Sequence, residues 1–141
     1  EQPKLPVYHM DQMIWKENRE EVALQDFQVE YDNILQKEKW IIEGYLYPYD
    51  ITRLKLADLV IYLDYSGFRA SYQGLKRWWF YRKKERPEMA KGCVETFSYE
   101  YILTMFKRSE RSEIEKLLAR TKEINIVRFH NPTELKSWFG W

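Results

Sequence analysis

The sequence predicts an α/β fold in which helices flank a mostly parallel sheet. Two short apolar runs, residues 40–42 and 59–63, show no polar alternation, and each is followed by an acid, Glu43 and Asp64 respectively. Such runs suit strands that are covered on both faces, as in parallel sheets. Strand-like and helix-like segments also alternate along the chain. This order favours a layered α/β domain with right-handed crossovers.

Four segments are predicted to be strands because they are short and apolar. They are residues 6–10, 40–43, 59–63 and 124–129. Asp11 follows the first strand, Glu43 ends the second and Asp64 follows the third. An acid at the carboxyl end of such a strand lies where ligands bind in open α/β folds.

Helical spacing of apolar residues predicts the helices. The first begins near Asn18, which forms a capping box with Glu21, and it extends to about residue 35. Further helices are predicted over residues 51–56, 68–83, 98–106, 109–120 and 131–139. The last of them has Asn131 as its cap and Pro132 at its first position. The segment 84–93 has little apolar content and is predicted to be an exposed excursion, with the composition of a mobile lid.

Length and composition limit the classes of protein to consider. A chain of 141 residues is about one domain, so we expect residues 1–141 to fold as one. The 23 basic and 22 acidic residues leave a net charge of +1, so no global field attracts nucleic acid or anionic lipid. The single Cys93 excludes an internal disulfide and favours a reducing compartment, the cytoplasm. No apolar run approaches the roughly 18 residues that span a bilayer, so no membrane partner is expected.

Some residues could take part in phosphoryl transfer, which needs a phosphate cradle, a metal and cations. Glu43 is a candidate to hold a magnesium-bound water, and Gly44 would give backbone room beside a substrate. Asp11 could bind a substrate hydroxyl or act as a base toward it. Each acid also has a plain structural alternative, a helix cap or a solvated turn. The five glycines contain no G-x-x-x-x-G-K-[ST] frame, so the phosphate loop is missing.

Several arginines could contact phosphate around and after the predicted lid. They are Arg77, Arg82, Arg86, Arg108 and Arg111. Guanidinium groups suit phosphate oxygens, and a closing lid that brought them in would neutralise the charge that develops during transfer. For any one of these arginines, a solvated helix face is the alternative.

Several stretches in order form a pattern over almost the whole chain. They are Pro6-Val7-Tyr8-His9-Met10-Asp11, Trp15, Trp40-Ile41-Ile42-Glu43-Gly44, Arg53 through Ala57-Asp58 to Leu63-Asp64, and Arg86-Pro87-Glu88-Met89-Ala90-Lys91-Gly92-Cys93. The pattern resembles the adenylate-kinase-like P-loop proteins often labelled DNA topology modulation proteins. The last stretch is the most specific of them.

The resemblance implies a three-layer P-loop kinase-like sheet whose first, central strand and Walker A loop are absent from this sequence. It implies ATP and Mg²⁺ as cofactors and a nucleoside or nucleotide as the small phosphate acceptor. It also implies a lid-like segment at about residues 82–97. The complete form would be a phosphotransferase, whereas the chain as written should be inactive without its phosphate loop.

The resemblance also implies roles for individual residues. Glu43 matches the metal-side acid, although many relatives have Asp there, and Asp64 is interpreted as structural. The residues matched to the acceptor substrate are Asp11, Gly44 and Arg53. Those matched to the cofactor, near the adenine, are Arg128 and Pro132. The catalytic arginines would be Arg77, Arg82, Arg86, Arg108 and Arg111.

Two other hypotheses stay open. The first is a nucleic-acid-binding protein that uses the aromatic and basic helix around Arg77, Trp78, Trp79, Tyr81 and Arg82, because rings beside cations suit single strands. Nothing in the sequence resembles a DNA-reading motif, and the near-zero net charge is unfavourable. The second is a non-catalytic interaction module whose exposed aromatics form a homodimer surface.

Overall fold

The computed structural model describes residues 5–47, 50–121 and 123–140, and the chain forms two compact units. Unit 1 comprises Glu1–Tyr45 and Phe80–Thr96, and unit 2 comprises Leu46–Trp79 and Phe97–Trp141. Among these described residues, each unit has one two-stranded parallel sheet with helices. The predicted mixed α/β class is therefore confirmed. The predicted single domain with its lid stays a prediction.

Unit 1 contains the first two strands and the helices between them. Its elements are β1 (Val7–His9), α1 (Met10–Ile14), a 3₁₀ turn (Glu17–Arg19), α2 (Leu24–Leu35) and β2 (Ile41–Glu43). The two strands pair in parallel from Val7 opposite Ile41 to His9 opposite Glu43. The buried side chains of this unit come from α1, α2 and the later segment; they are Met10, Met13, Phe27, Tyr31, Ile34, Leu35 and Cys93.

The predicted capping box at Asn18 and Glu21 is wrong. Helix α2 begins only at Leu24, and its cap has no side-chain hydrogen bond. The residues before it form a tight turn instead, in which Trp15 and Glu21 make an antiparallel bridge. Arg19 has a left-handed backbone, with φ of 62°. Tertiary pairing therefore overrides the local capping signal here.

Unit 2 contains the last two strands and most of the helices. Its elements are α3 (Ile51–Leu56), β3 (Leu59–Leu63), α4 (Gly67–Tyr81, whose last two residues are counted with unit 1), α5 (Tyr99–Lys107), α6 (Arg111–Ala119), β4 (Asn125–Phe129) and α7 (Pro132–Phe139). β3 and β4 pair in parallel from Leu59 opposite Asn125 to Leu63 opposite Phe129. Each predicted strand and helix of this unit is confirmed to within a few residues.

The two faces of β3 differ in burial. Val60 and Tyr62 pack against a core made of Leu54, Leu117 and Leu118. The alternate residues are exposed, with 41% of Leu59, 40% of Ile61 and 49% of Leu63 accessible to solvent. The expectation that this strand is covered on both faces is therefore wrong for the described chain. One face of β3 is apolar and open.

Helix α4 lies close to α5 because small residues line the contact. A side chain at Gly67 would collide with the carbonyl oxygen of Phe106. The Ser71 hydroxyl donates to the carbonyl of Ile102 at 3.2 Å, and Gly74 faces the side chain of that same residue. This contact fixes the side of α4 that points inward.

Candidate functional site

The carboxylate of Asp64 is the centre of a cluster of arginines in unit 2. Asp64 directly follows β3, and its backbone N–H continues the sheet by donating to the carbonyl of Phe129 at 2.9 Å. Its side chain is only 2% exposed. Arg108 donates to one carboxylate oxygen. Arg111 donates to both, at 3.0 Å each, and Arg128 donates at 3.2 Å.

The backbone brings the three arginines together from three elements. Arg128 lies on β4, beside β3, and Arg111 is the first residue of α6. Arg108 ends α5 in the left-handed conformation, with φ of 53°. Glycine is the usual residue at such a helix end, and a residue with a Cβ costs roughly 1–2 kcal/mol there. A glycine would relieve this strain but would lose the guanidinium that contacts Asp64.

A second carboxylate, Glu115 of α6, completes the cluster. It accepts two hydrogen bonds from Arg128, at 2.6 and 2.9 Å, and pairs with Arg111 at 3.1 Å. The hydrogen bond with Arg128 lowers the pKa of Glu115 and raises that of Arg128. Arg128 also lies over the ring of Tyr62, whose pKa is raised by burial and then by the charge of Glu115.

The cluster has a surplus of positive charge that is open to solvent. Three guanidinium groups face two carboxylates, which leaves one net positive charge. The side chains of Arg108, Arg111 and Arg128 are 33%, 39% and 32% exposed. A shallow cavity of about 150 Å³ adjoins Arg108 and Arg111, and its lining also includes Tyr62, Asp64, Tyr65, Thr104 and the carboxylate residue Glu110. This arrangement can bind a small anion.

The other predicted site residues of unit 2 lie outside this cluster. Arg53 is buried, and its guanidinium donates at 3.1 Å to Asp50, which is fully buried. Arg77 donates to the Tyr101 hydroxyl at 3.2 Å and lies over that ring. Pro132 is the half-buried first residue of α7. Arg53 and Arg77 are thus held by partners within the unit, and Pro132 lies at the start of a helix.

In unit 1, Asp11 and Arg86 form an ion pair at 2.6 Å. Asp11 lies in the first turn of α1, whose cap is His9, so the alternative that Asp11 is an N-cap is wrong. Two further carboxylates contact Arg86, Glu88 at 3.4 Å and Glu95 at 3.6 Å. Because three carboxylates meet one guanidinium, this cluster does not favour an additional anion.

The segment predicted as an exposed excursion is fastened to the rest of unit 1. Gln12 donates to the carbonyl of Pro87 at 2.7 Å, and Arg19 donates to the carbonyl of Val94 at 2.7 Å. Cys93 is 1% exposed, and its thiol donates to the carbonyl of Lys16 at 3.4 Å. The prediction of exposure is therefore wrong for Cys93 and for Arg86, whose side chain is 10% exposed. Arg82, just after α4, is half-buried.

Glu43 and Gly44 follow β2 in the same unit. An oxygen of the Glu43 carboxylate lies 2.9 Å from Nδ1 of His9. Within the described residues, no three His, Cys, Asp or Glu side chains are grouped as metal ligands. Gly44 has φ of 142°, and a Cβ there would lie 2.5 Å from that of Met10. Gly44 is thus required for packing against Met10.

The sequence predicts Arg108, Arg111 and Arg128 as site residues and singles out Asp64, but it does not predict the contacts between them. Asp64 was interpreted as structural, and its contacts with three arginines were not foreseen. Glu115 was missed, although it lies four residues after Arg111, a spacing at which helical residues form ion pairs.

Comparison with known proteins gives no match: no protein-family model fits the chain, and no curated protein or solved structure is recognisably similar. Within residues 5–47, 50–121 and 123–140, no helix is long and apolar enough to cross a membrane.

Proposed function

We propose that this chain binds the phosphate groups of a nucleotide and belongs to an ATP-dependent, kinase-like phosphotransferase. The observation that supports this proposal is the positively charged cluster of Arg108, Arg111 and Arg128 around Asp64. It lies at the carboxyl ends of two parallel strands, which is where ligands bind in open α/β sheets. The exposed guanidinium N–H groups match the oxygens of a phosphate chain.

We propose for the fold a three-layer P-loop kinase-like sheet whose central strand is not among these residues. Two features support this view. Each observed sheet has only two strands among the described residues, although parallel sheets are usually larger and covered on both faces. Leu59, Ile61 and Leu63 form an uncovered apolar face on β3. A strand followed by a helix would cover such a face and pair with an open sheet edge.

The proposal assigns different roles to the arginines. Arg108 and Arg111 would contact phosphate, because both of them line the shallow cavity beside Asp64. Arg128 would act as a positioning residue, since it is bonded to Glu115 and Asp64 and lies over Tyr62. The described residues do not by themselves form a Mg²⁺ site, because Glu43 pairs with His9 and no three potential ligand side chains are grouped among them.

Anion binding can be measured by calorimetry with inorganic triphosphate, ATP and adenosine. We expect triphosphate and ATP to bind with similar affinity and adenosine not to bind, because the contacts are to phosphate. Arg111→Gln should weaken triphosphate binding by about 10- to 150-fold, as expected for the loss of a hydrogen bond to a charged group, worth about 1.5–3 kcal/mol. Arg120→Gln is the matched control, since it removes the same charge from an exposed position at the end of α6.

Equal affinities of the two variants would contradict the proposed site. The class of protein is tested separately by the coding sequence that precedes Glu1. A strand there followed by G-x-x-x-x-G-K-[ST] would supply the phosphate loop. A chain that includes such a segment should transfer phosphate from ATP to a member of a nucleoside and nucleotide panel, and failure to bind ATP and to transfer phosphate would overturn the kinase assignment.

A further inference from the structure

We infer that the exposed face of α4 is a binding surface for single-stranded nucleic acid. The face is a stripe of four large side chains, Phe68, Tyr72, Leu75 and Trp79. They lie three or four residues apart, so they share an arc of about 60° on the helix. Their exposed fractions are 76%, 60%, 40% and 64%. The small residues that contact α5 lie on a different side of the helix.

Cations adjoin this stripe. Arg69 and Lys76 lie about 80° from its centre round the helix. Within the described residues, neither of them forms an ion pair. Residues 67–81 contain no acid. Unneutralised cations therefore stand beside exposed rings on one rigid helix.

The chemistry of the stripe and its cations favours one partner. Bases stack on exposed aromatic rings whatever their sequence, and the phosphates of the same strand pair with nearby cations. A second copy of this chain fits less well, because an antiparallel pair of α4 helices would bring Arg69 and Lys76 against the same cations. A partner with both flat rings and negative charge fits both features of the surface.

The structure also changes which residues of this helix would act. Trp78 packs against the ring of Phe97, with centroids 5.1 Å apart, and Arg77 is bonded to Tyr101. The sequence pattern predicts both of these residues as nucleic-acid contacts. The binding surface inferred from exposure is instead the stripe of Phe68, Tyr72, Leu75 and Trp79 with its two cations. The Trp79 ring contacts that of Trp78 edge to face, with centroids 6.2 Å apart, and is still 64% exposed.

The test is fluorescence anisotropy with a labelled 20-nucleotide oligothymidylate across a salt series. We expect Tyr72→Ala to weaken binding by about 5- to 150-fold, the usual effect of losing one stacking ring. Tyr99→Ala is the matched control, because this tyrosine is 68% exposed on α5 and lies outside the stripe. Replacing both Arg69 and Lys76 by Gln should reduce the salt slope by about 1.4, since each phosphate contact on a single strand contributes about 0.7.

Three results would overturn the inference. They are no binding, equal affinity for a duplex of the same length, and equal losses with Tyr72→Ala and Tyr99→Ala. Binding to phosphatidylserine vesicles with the same sensitivity to Tyr72→Ala, without oligonucleotide binding, would assign the stripe to a lipid surface instead. A change of mass in solution with Tyr72→Ala, again without oligonucleotide binding, would assign it to a dimer. Arg120→Gln removes an exposed cation at the end of α6, outside the stripe, and should leave oligonucleotide binding unchanged.

Discussion

Replacing Asp64 by Asn tests whether this carboxylate holds the arginine cluster together. The substitution keeps the shape of the side chain but removes its charge, and it turns an NH₂ group toward guanidinium donors. Asp64 accepts hydrogen bonds from Arg108, Arg111 and Arg128, and its side chain is 2% exposed. The variant therefore leaves three cations close together with only Glu115 to neutralise them.

The expected cost follows from burial. Removing one partner from a buried ion pair destabilises a protein by about 3–5 kcal/mol. The arginines here are about one-third exposed, so water replaces part of what they lose. We therefore expect the lower end, about 3 kcal/mol. This is a large share of the roughly 5–15 kcal/mol by which domains are stable.

The assay is urea denaturation followed by circular dichroism. The midpoint should fall while the slope stays the same, because the substitution changes stability and not the surface exposed on unfolding. Asp58→Asn is the matched control, since Asp58 is exposed just before β3 and should change stability by less than about 0.5 kcal/mol. If Asp64→Asn costs no more than this control, the cluster does not depend on Asp64 and the reasoning fails.

Two further substitutions test the packing and the charges. Gly44→Ala should lower the free energy of unfolding by about 3 kcal/mol in urea denaturation, because it combines an unfavourable positive φ with a clash against Met10. Gly140→Ala is the control: it has a positive φ but open space around it, so it should lower the free energy by about 1 kcal/mol. Equal losses of stability would contradict the clash. In the Glu115→Gln variant, stability should fall less steeply with decreasing pH than in the parent protein. The hydrogen bond with Arg128 lowers the pKa of Glu115 in the folded state. The ionised Glu115 side chain therefore contributes fully to stability above its ordinary pKa of about 4.3, and this contribution is lost as the pH falls through the lower pKa of the folded state. Thermal unfolding between pH 3 and 7 measures this, and parallel curves for variant and parent would contradict it.

Helix starts were predicted correctly where the capping residue and its partner lie within a few residues of each other. The Asn131 side chain accepts a hydrogen bond from the backbone N–H of Glu134, and Pro132 occupies the first turn of α7, as their positions indicated. Ser98, the first residue of the helix predicted over 98–106, caps α5 by accepting from the backbone N–H of Tyr101. In each case the partner lies three residues away, so the sequence contains both halves of the interaction.

Features that depend on contacts with distant residues were not predicted correctly. The expected helix start at Asn18 is replaced by a turn that Arg19 fixes by donating to Val94 and Thr96, more than 70 residues later. The segment around Cys93 is predicted to be exposed because it is polar, yet it forms hydrogen bonds with residues near the start of the chain. The pattern of hydrophobic residues in the sequence does not predict such hydrogen bonds between distant residues.

Contacts between distant residues also determine which arginines of the candidate site are available to an anion. Arg86 and Arg111 look alike in sequence, and both suit phosphate. Arg86 has three carboxylates within 3.6 Å and is 10% exposed, so an added anion would meet net negative charge. Arg111 shares its two carboxylates with two other arginines and is 39% exposed. The exposure of a guanidinium and the sharing of its carboxylates, and not its presence alone, therefore favour the ends of β3 and β4 for the proposed phosphate site.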